Sequence, residues 1–366
     1  MIVKNEEEAL PRCLRSLGAI PDEIVILDTG STDRTKALAR EFTDRVYDFA
    51  WIDDFAAARN AAFSLATRDF ILWMDADDIL REDDRDKLSA LKTELDADVD
   101  AVSMKYHLAF DADNHVTFSS RLYRLVRRAR GFAWHGPVHE YLAVDGNILH
   151  ADLAVTHSPV GHDVDPSRNL RIYEQRLAAG ETFTPRDVFY YANECYDHGR
   201  YHRAAEYYRM FLANGSCWVE DAVRAYGRLA DCSAHLGDAE AELSYTLQAF
   251  TLDIPRADFC CRLGFIWMKR REWQRAVFWY DLATRLGRPA SELAFVDEDA
   301  VSWLPHVQLC VCYDHLGDYR RAYEHNERAG AHRPNNPYVI HNRAYLESMR
   351  GQGPKGCGAP PLAHPG

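Results

Sequence analysis

Two patterns of hydrophobic and polar positions divide this chain. Up to about residue 160, short continuous apolar runs alternate with amphipathic stretches. Glu23-Ile-Val-Ile-Leu-Asp28, Asp69-Phe-Ile-Leu-Trp-Met-Asp75 and Asp100-Ala-Val-Ser-Met-Lys-Tyr106 read as strands, and helices are predicted over 35–42 and 83–95. Strands apolar on both faces and separated by helices predict an α/β domain with a mixed, mostly parallel sheet covered by helices on both faces. Ligands of such sheets bind beyond the carboxyl ends of the strands. The first two runs both end in aspartate, Asp28 and Asp75, so these two side chains are expected where a ligand sits. Met1-Ile-Val-Lys4 reads as the end of a further strand whose beginning is missing, because a strand averages about five or six residues.

From about residue 184 the pattern changes to paired helices. Gly199-Arg-Tyr201-His-Arg-Ala204 recurs as Arg271-Glu-Trp273-Gln-Arg-Ala276 and as Gly317-Asp-Tyr319-Arg-Arg-Ala322, with a degenerate copy at Gly237-Asp-Ala-Glu-Ala241. Successive copies lie 38, 34 and 46 residues apart. In each, a turn residue ends one helix, an aromatic opens the next, and a small alanine permits close helix approach. This resembles the tetratricopeptide repeat, whose period is about 34 residues, with the longest spacing taken up by a loop over 287–299. Residues 335–349 are expected to form a capping half-repeat. The expected organisation is an α/β domain over 1–165, an all-α repeat domain over 184–350, and a disordered Gly- and Pro-rich tail over 351–366.

Composition narrows the function. A hydrophobic fraction of 47% belongs to a folded globular chain, and a formal net charge of −13 makes it a poor candidate for non-specific nucleic-acid binding. So acidic a protein needs help to hold an anionic ligand, and a bound cation is one answer. The most apolar run, residues 70–74, is far short of the roughly 20 needed for a membrane span. Polar residues Lys4 to Glu8 stand where a signal peptide would be apolar. The nine cysteines show no CxxC pair and no zinc-like spacing, so buried reduced thiols are expected. The expected location is cytoplasmic.

Chemistry concentrates in three places. Asp28-Thr-Gly-Ser-Thr-Asp33 joins a strand to a helix; it is either a capped turn or a set of amides that approaches a phosphate or ribose. Asp75-Ala-Asp77-Asp78 puts three mutually repelling carboxylates at the end of an apolar run; it is either a solvated helix-capping loop or a site for a divalent cation. Arg121-Leu-Tyr-Arg124 is followed by Trp134-His135-Gly-Pro-Val-His139-Glu140-Tyr141, in which Glu140 can form an ion pair with Arg124. His157 ends a further apolar run, with His135, His139 and His162 as competitors for any ligand role.

Taken together, Met1-Ile-Val-Lys-Asn-Glu-Glu, Asp28-Thr-Gly-Ser-Thr-Asp33, Asp53-Asp-Phe55-Ala-Ala-Ala-Arg59-Asn60 and Trp73-Met-Asp75-Ala-Asp77-Asp78 resemble, in order and spacing, the family 2 glycosyltransferases of the GT-A fold. The subgroup the chain is most similar to joins that domain to tetratricopeptide repeats; it includes bacteriocin S-glycosyltransferases, with lipopolysaccharide-core glucosyltransferases as relatives. The resemblance implies roles residue by residue. Asp28 accepts a hydrogen bond from the uracil of a UDP-sugar. Asp75 and Asp77 form the DxD pair, Asp77 on the metal and Asp75 also near the ribose or sugar. Arg59, Asn60, Lys4 and Asn5 position the donor, and His157 supplies a third metal ligand. Glu140 takes the acceptor's proton. The implied reaction is metal-dependent (Mn²⁺ or Mg²⁺) inverting transfer of a hexose or N-acetylhexosamine from a UDP-sugar to a peptide, protein or glycan. The repeats then serve as a protein-partner or homodimer surface. The alternatives are a protein-binding repeat scaffold with an inactive transferase domain, and a nucleotidyltransferase, which the absence of a Gly-rich phosphate loop disfavours.

Overall fold

The structure is a computed structural model that describes residues 1–160, 165–215, 217–289, 291 and 293–349. The expected tail over 351–366 and His162 lie outside the described residues. The chain divides into two units, Met1–Ala109 with Ser119–Thr182, and Phe110–Phe118 with the chain from Phe183 onward.

In the first unit, β1 (Ile2–Val3), α1 (Ala9–Leu17), β2 (Ile26–Asp28), α2 (Thr35–Ala39), β3 (Val46–Asp48) and α3 (Phe55–Ser64) come first. They are followed by β4 (Phe70–Leu72), β5 (Asp78–Ile79), α4 (Glu82–Glu94), the long strands β6 (Ala101–Phe110) and β7 (Val116–Arg127), then β8 (Trp134–His135), β9 (Tyr141–Leu142), β10 (Ile148–His157) and α5 (Arg168–Ala178). β1, β2 and β3 form a parallel sheet in that order. In the second sheet β7, β6, β10 and β5 are successive neighbours, and β4 pairs with β7. β10 runs parallel to β6, whereas β5 is antiparallel to β10 and β4 to β7, so the sheet is mixed. This is the expected α/β class, and it is GT-A-like.

The apolar periodicity explains the packing. Leu10, Cys13, Leu14 and Leu17 repeat at helical spacing on one face of α1 and pack with Ile26, Met74, Leu88, Val102, Met104 and Val155. A second cluster joins Trp73 and Trp134 to Ala101 and Val126. The run over 69–75 differs from expectation. Its ladder covers only Phe70–Leu72, although the Trp73 N–H still donates to the Arg124 carbonyl at 3.0 Å. The chain then leaves the strand and turns, which sets Asp75 beyond the ladder.

In the second unit, helices come in pairs: α6 (Pro185–Asp197) with α7 (Tyr201–Ala213), α8 (Val219–His235) with α9 (Ala239–Gln248), α10 (Ala257–Lys269) with α11 (Trp273–Ala283). After β11 (Val296–Asp297), inside the expected 287–299 loop, come α12 (Leu304–His315) with α13 (Tyr319–His332), and then α14 (Pro337–Met349). Every copy of the sequence motif falls at the junction within a pair. Gly199, Gly237 and Gly317 adopt positive φ there, as does Arg271, at 59°, in the copy that lacks the glycine. Ala204, Ala276 and Ala322 are fully buried. The aromatics that open the second helices do more than fill space. Tyr201 stacks on His235 with ring centroids 4.2 Å apart, and Trp273 on His315 at 3.9 Å, each histidine being the last residue of a first helix. The segment Phe110–Phe118 is held in this unit by Phe118 stacked on Phe295 and by Arg333, whose guanidinium meets Asp111 at 3.2 Å and Asp299 at 2.9 Å. No helix among the described residues is long and apolar enough to cross a membrane.

Candidate functional site

Asp28 ends β2 and is only 2% exposed. Its Oδ2 accepts the Gly30 and Ser31 N–H groups at 3.1 and 3.0 Å, which closes the turn that Gly30 makes at φ 106°. Its Oδ1 is buried with no hydrogen-bond partner in the structure. An interior acceptor of this kind is costly unless a donor meets it. Asn5, at φ 55°, is laced to the same loop: its Oδ1 accepts from Thr32 N–H at 2.8 Å and its own N–H donates to Ser31 Oγ at 2.9 Å. Lys4 beside it is exposed.

Asp75-Ala-Asp77-Asp78 forms a β-turn, the Asp78 N–H donating to the Asp75 carbonyl at 3.1 Å. Asp78 Oδ2 returns the bond by accepting the Asp75 N–H at 3.1 Å. Two-residue β5 then pairs with β10 so that Asp78 stands opposite His157, and the Ser158 N–H holds the Asp77 carbonyl at 2.7 Å. The result is a cluster: Asp77, Asp78 and His157 each offer a ligand atom, all within 4.8 Å of one another. His157 Nδ1 lies 3.6 Å from Asp77 Oδ2 and 3.3 Å from the Tyr106 hydroxyl. Of the competing histidines, His135 packs on Tyr141 and His139 on Tyr173. Neither joins this group.

Two arginines divide the acids. Arg59, on α3, donates to Asp75 Oδ1 at 2.8 Å and to Glu140 Oε1 at 2.6 Å, with its guanidinium over Trp73 and Trp134. It therefore bridges the turn and the loop between β8 and β9. The ion pair considered between Glu140 and Arg124 is not formed: Arg124 is fully buried and meets Asp78 Oδ2 at 2.8 Å. Asn60 uses both ends of its amide on the Trp134 backbone, at 3.0 and 2.8 Å, and so braces the β8 strand from α3. Tyr106 and the Arg124–Asp78 pair were not foreseen. Arg124 carried no signal of its partner, and Tyr106 reads as one more strand aromatic.

The charge balance is telling. Burial raises the Asp75 carboxyl, but Arg59 and Arg124 hold it below the ordinary carboxylate value. Burial drives Asp78 up, against the pull of Arg124. Glu6 is pushed up to about 8 by burial and then by Asp77, Asp75 and Asp33. Carboxylate oxygens beside an imidazole fit a divalent ion. A cavity of about 810 Å³ in the same unit, lined by Ile24, Val25, Phe70, Ile71, Leu72 and Leu88 among others, contains none of Asp28, Asp75, Asp77, Glu140 or His157.

Residues 1–144 match Glycosyl transferase family 2. A TPR repeat-containing protein of Synechococcus elongatus is 40% identical over 154 residues, which is 41% of this chain and 35% of that one. The SPbeta prophage-derived glycosyltransferase SunS of Bacillus subtilis is 26% identical over 232 residues, 58% of this chain and 52% of that one. The chain thus spans about half or less of the length of these curated relatives. The C-terminal part of a TPR repeat-containing protein from Cytophaga hutchinsonii has a matching solved structure with a TM-score of 0.42 at 13% identity, covering 51% of this chain and 67% of that one. The helical assignment rests on the chain's own motif and helix pairs. The N-terminal part of the chain is a family 2 glycosyltransferase domain, and a tetratricopeptide-like helical repeat region follows it.

Proposed function

We propose that this chain is a metal-dependent, inverting glycosyltransferase that moves a hexose or N-acetylhexosamine from a UDP-sugar to a peptide, protein or glycan. The observation that carries the reading is the convergence of Asp77 and His157 on one side of the acidic turn with the Asp75–Arg59–Glu140 chain on the other. Asp28, with an oxygen lacking a partner, receives the uracil N–H. Asn5 holds the loop that carries Ser31 and Thr32, and exposed Lys4 reaches the donor's phosphates. Asp75 orients the ribose or sugar while Arg59 fixes its carboxylate. Asp77 and His157 would hold Mn²⁺ or Mg²⁺; when bound, the cation would supply Lewis-acid stabilisation of the departing diphosphate, worth on the order of several kcal/mol.

The chemical step is a single displacement. The acceptor oxygen or sulfur forms a bond to the anomeric carbon as that carbon's bond to the diphosphate oxygen breaks, and UDP leaves with the electron pair. The acceptor's proton passes to Glu140, which keeps a second carboxylate oxygen besides the one held by Arg59. The helical repeats present a protein or peptide partner, or a second copy of the chain. Product analysis tests the reading: incubation with UDP-sugars and Mn²⁺ should release UDP together with a glycosylated acceptor. Release of pyrophosphate would indicate a nucleotidyltransferase, and release of neither would leave the scaffold reading.

A further inference from the structure

We infer that Asp78 and Arg124 form a buried positioning pair for the acidic turn, and that the cation is taken by Asp77 and His157 without Asp78. The inference rests on the metal-dependent reading above and sharpens it, since by proximity alone all three side chains qualify as ligands.

Exposure separates them first. Neither side chain of the Asp78–Arg124 pair is exposed at all, whereas those of Asp77 and His157 are 31% and 30% exposed. Prior commitment separates them next. Asp78 Oδ2 already accepts from Arg124 at 2.8 Å and from the Asp75 N–H at 3.1 Å, and its Oδ1, which has no hydrogen-bond partner, is wholly buried. A metal ion on that carboxylate would sit beside a guanidinium in a poorly screened interior, where like charges repel strongly. Arg124 is fixed in place by aromatic faces, 3.9 Å from the Trp73 ring centroid and 4.5 Å from that of Tyr106, while its Nε and Nη2 find no hydrogen-bond partner. It is therefore held as a stacked cation whose main polar contact is Asp78.

The pair controls geometry through the turn. Asp78 closes it twice, by its N–H on the Asp75 carbonyl and by its carboxylate on the Asp75 N–H. Asp77 lies with Ala76 between these two fixed points, and the closed turn sets it facing His157 across 3.6 Å. The Tyr106 ring that stacks on Arg124 also brings its hydroxyl to His157 Nδ1, so one residue braces both the pair and the histidine.

Mn²⁺ affinity, read from the free-ion electron paramagnetic resonance signal of the full chain, tests this together with the thermal midpoint. Asp78→Asn keeps an oxygen for the Asp75 N–H; it should lower the midpoint yet leave Mn²⁺ affinity within about threefold, while Asp77→Asn and His157→Ala weaken it at least about tenfold. Arg124→Met gives the readout that a merely structural role would not move. By charge alone, loss of a cation beside the acids tightens Mn²⁺ binding; loss of positioning weakens it, and a weakening of roughly tenfold is expected, with Arg124→Lys between. A tenfold loss in Asp78→Asn, or tighter binding in Arg124→Met, overturns the assignment. Should Arg124→Met fail to fold, Arg124→Lys and Asp78→Asn carry the same comparison. Failure of the unaltered chain to bind Mn²⁺ would be a different result: it would remove the cation reading itself, and this inference with it.

Discussion

Both units bury charged side chains, but they use them differently. In the helical unit the pairs are closed and join neighbouring helix pairs. Glu220 on α8 meets Arg256 at 2.7 Å, Lys269 on α10 meets Glu242 on α9 at 2.9 Å, and Arg262 on α10 meets Asp231 on α8. In the transferase domain the pairs converge on one turn. Arg59 and Arg124 neutralise Asp75 and Asp78 from two directions in the sequence, and Asp77 is left facing a histidine. Closed pairs distributed along a solenoid specify how repeats stack. Pairs gathered at one turn leave Asp77 beside His157 in a group whose ligand atoms could hold a metal ion.

That contrast can be broken from either side. The largest effect is expected in the transferase domain: Glu140→Gln should lower the turnover rate by roughly 10²–10⁴-fold with Mn²⁺-dependent UDP binding retained. Steady-state kinetics and calorimetry on one preparation check both halves. In the helical unit, Glu220→Gln leaves the nearly buried Arg256 with Asp253 alone. It should lower stability by about 2–3 kcal/mol in urea unfolding without altering UDP affinity.

How much of this was legible in the sequence follows the same division. The repeats announce themselves because each contact is local: turn residue, aromatic and alanine lie within six positions, and the structure places every copy at a helix junction. Asp28 and the acidic turn were legible because an apolar run that ends in acid is anomalous. The arginine partners of the acids were not, and His157 was foreseen beside Asp77 only through the family resemblance. Arg59 joins α3 to both the turn and the β8–β9 loop, Arg124 comes from β7, and His157 reaches the turn through a two-residue ladder. These pairings depend on which strands become neighbours, and no short-range pattern encodes that. Phe110–Phe118 is the same lesson in reverse. It carries the turn that joins β6 to β7, yet Arg333 and Phe295 claim it for the helical unit.

Two smaller effects refine the comparison on the helical side. His306 and His325 face each other with Nδ1 atoms 3.1 Å apart, and burial, with Arg328 nearby and His325 also acting on His306, pushes both down to about 4. The unfolded chain therefore binds more protons between about pH 6.5 and 4. The stability this neutral pair contributes is fully present above the unfolded value and is lost as pH falls through that window. Thermal midpoints measured from pH 7 to 4 should decline, and His325→Phe should flatten the decline. The smallest effect is a gain. Arg271 occupies the left-handed position that glycine fills in the other copies, so Arg271→Gly should stabilise by roughly 0.5–1 kcal/mol in the same urea assay.

In the proposed function, the acidic turn of the transferase domain holds a nucleotide through a cation. Calorimetric titration of UDP into the full chain, with and without Mn²⁺ and repeated on Asp77→Asn, tests it most directly. Binding that requires Mn²⁺ and disappears in the variant is the predicted result. Binding that is indifferent to Mn²⁺ and to Asp77→Asn, or no binding of UDP in any condition, would contradict it.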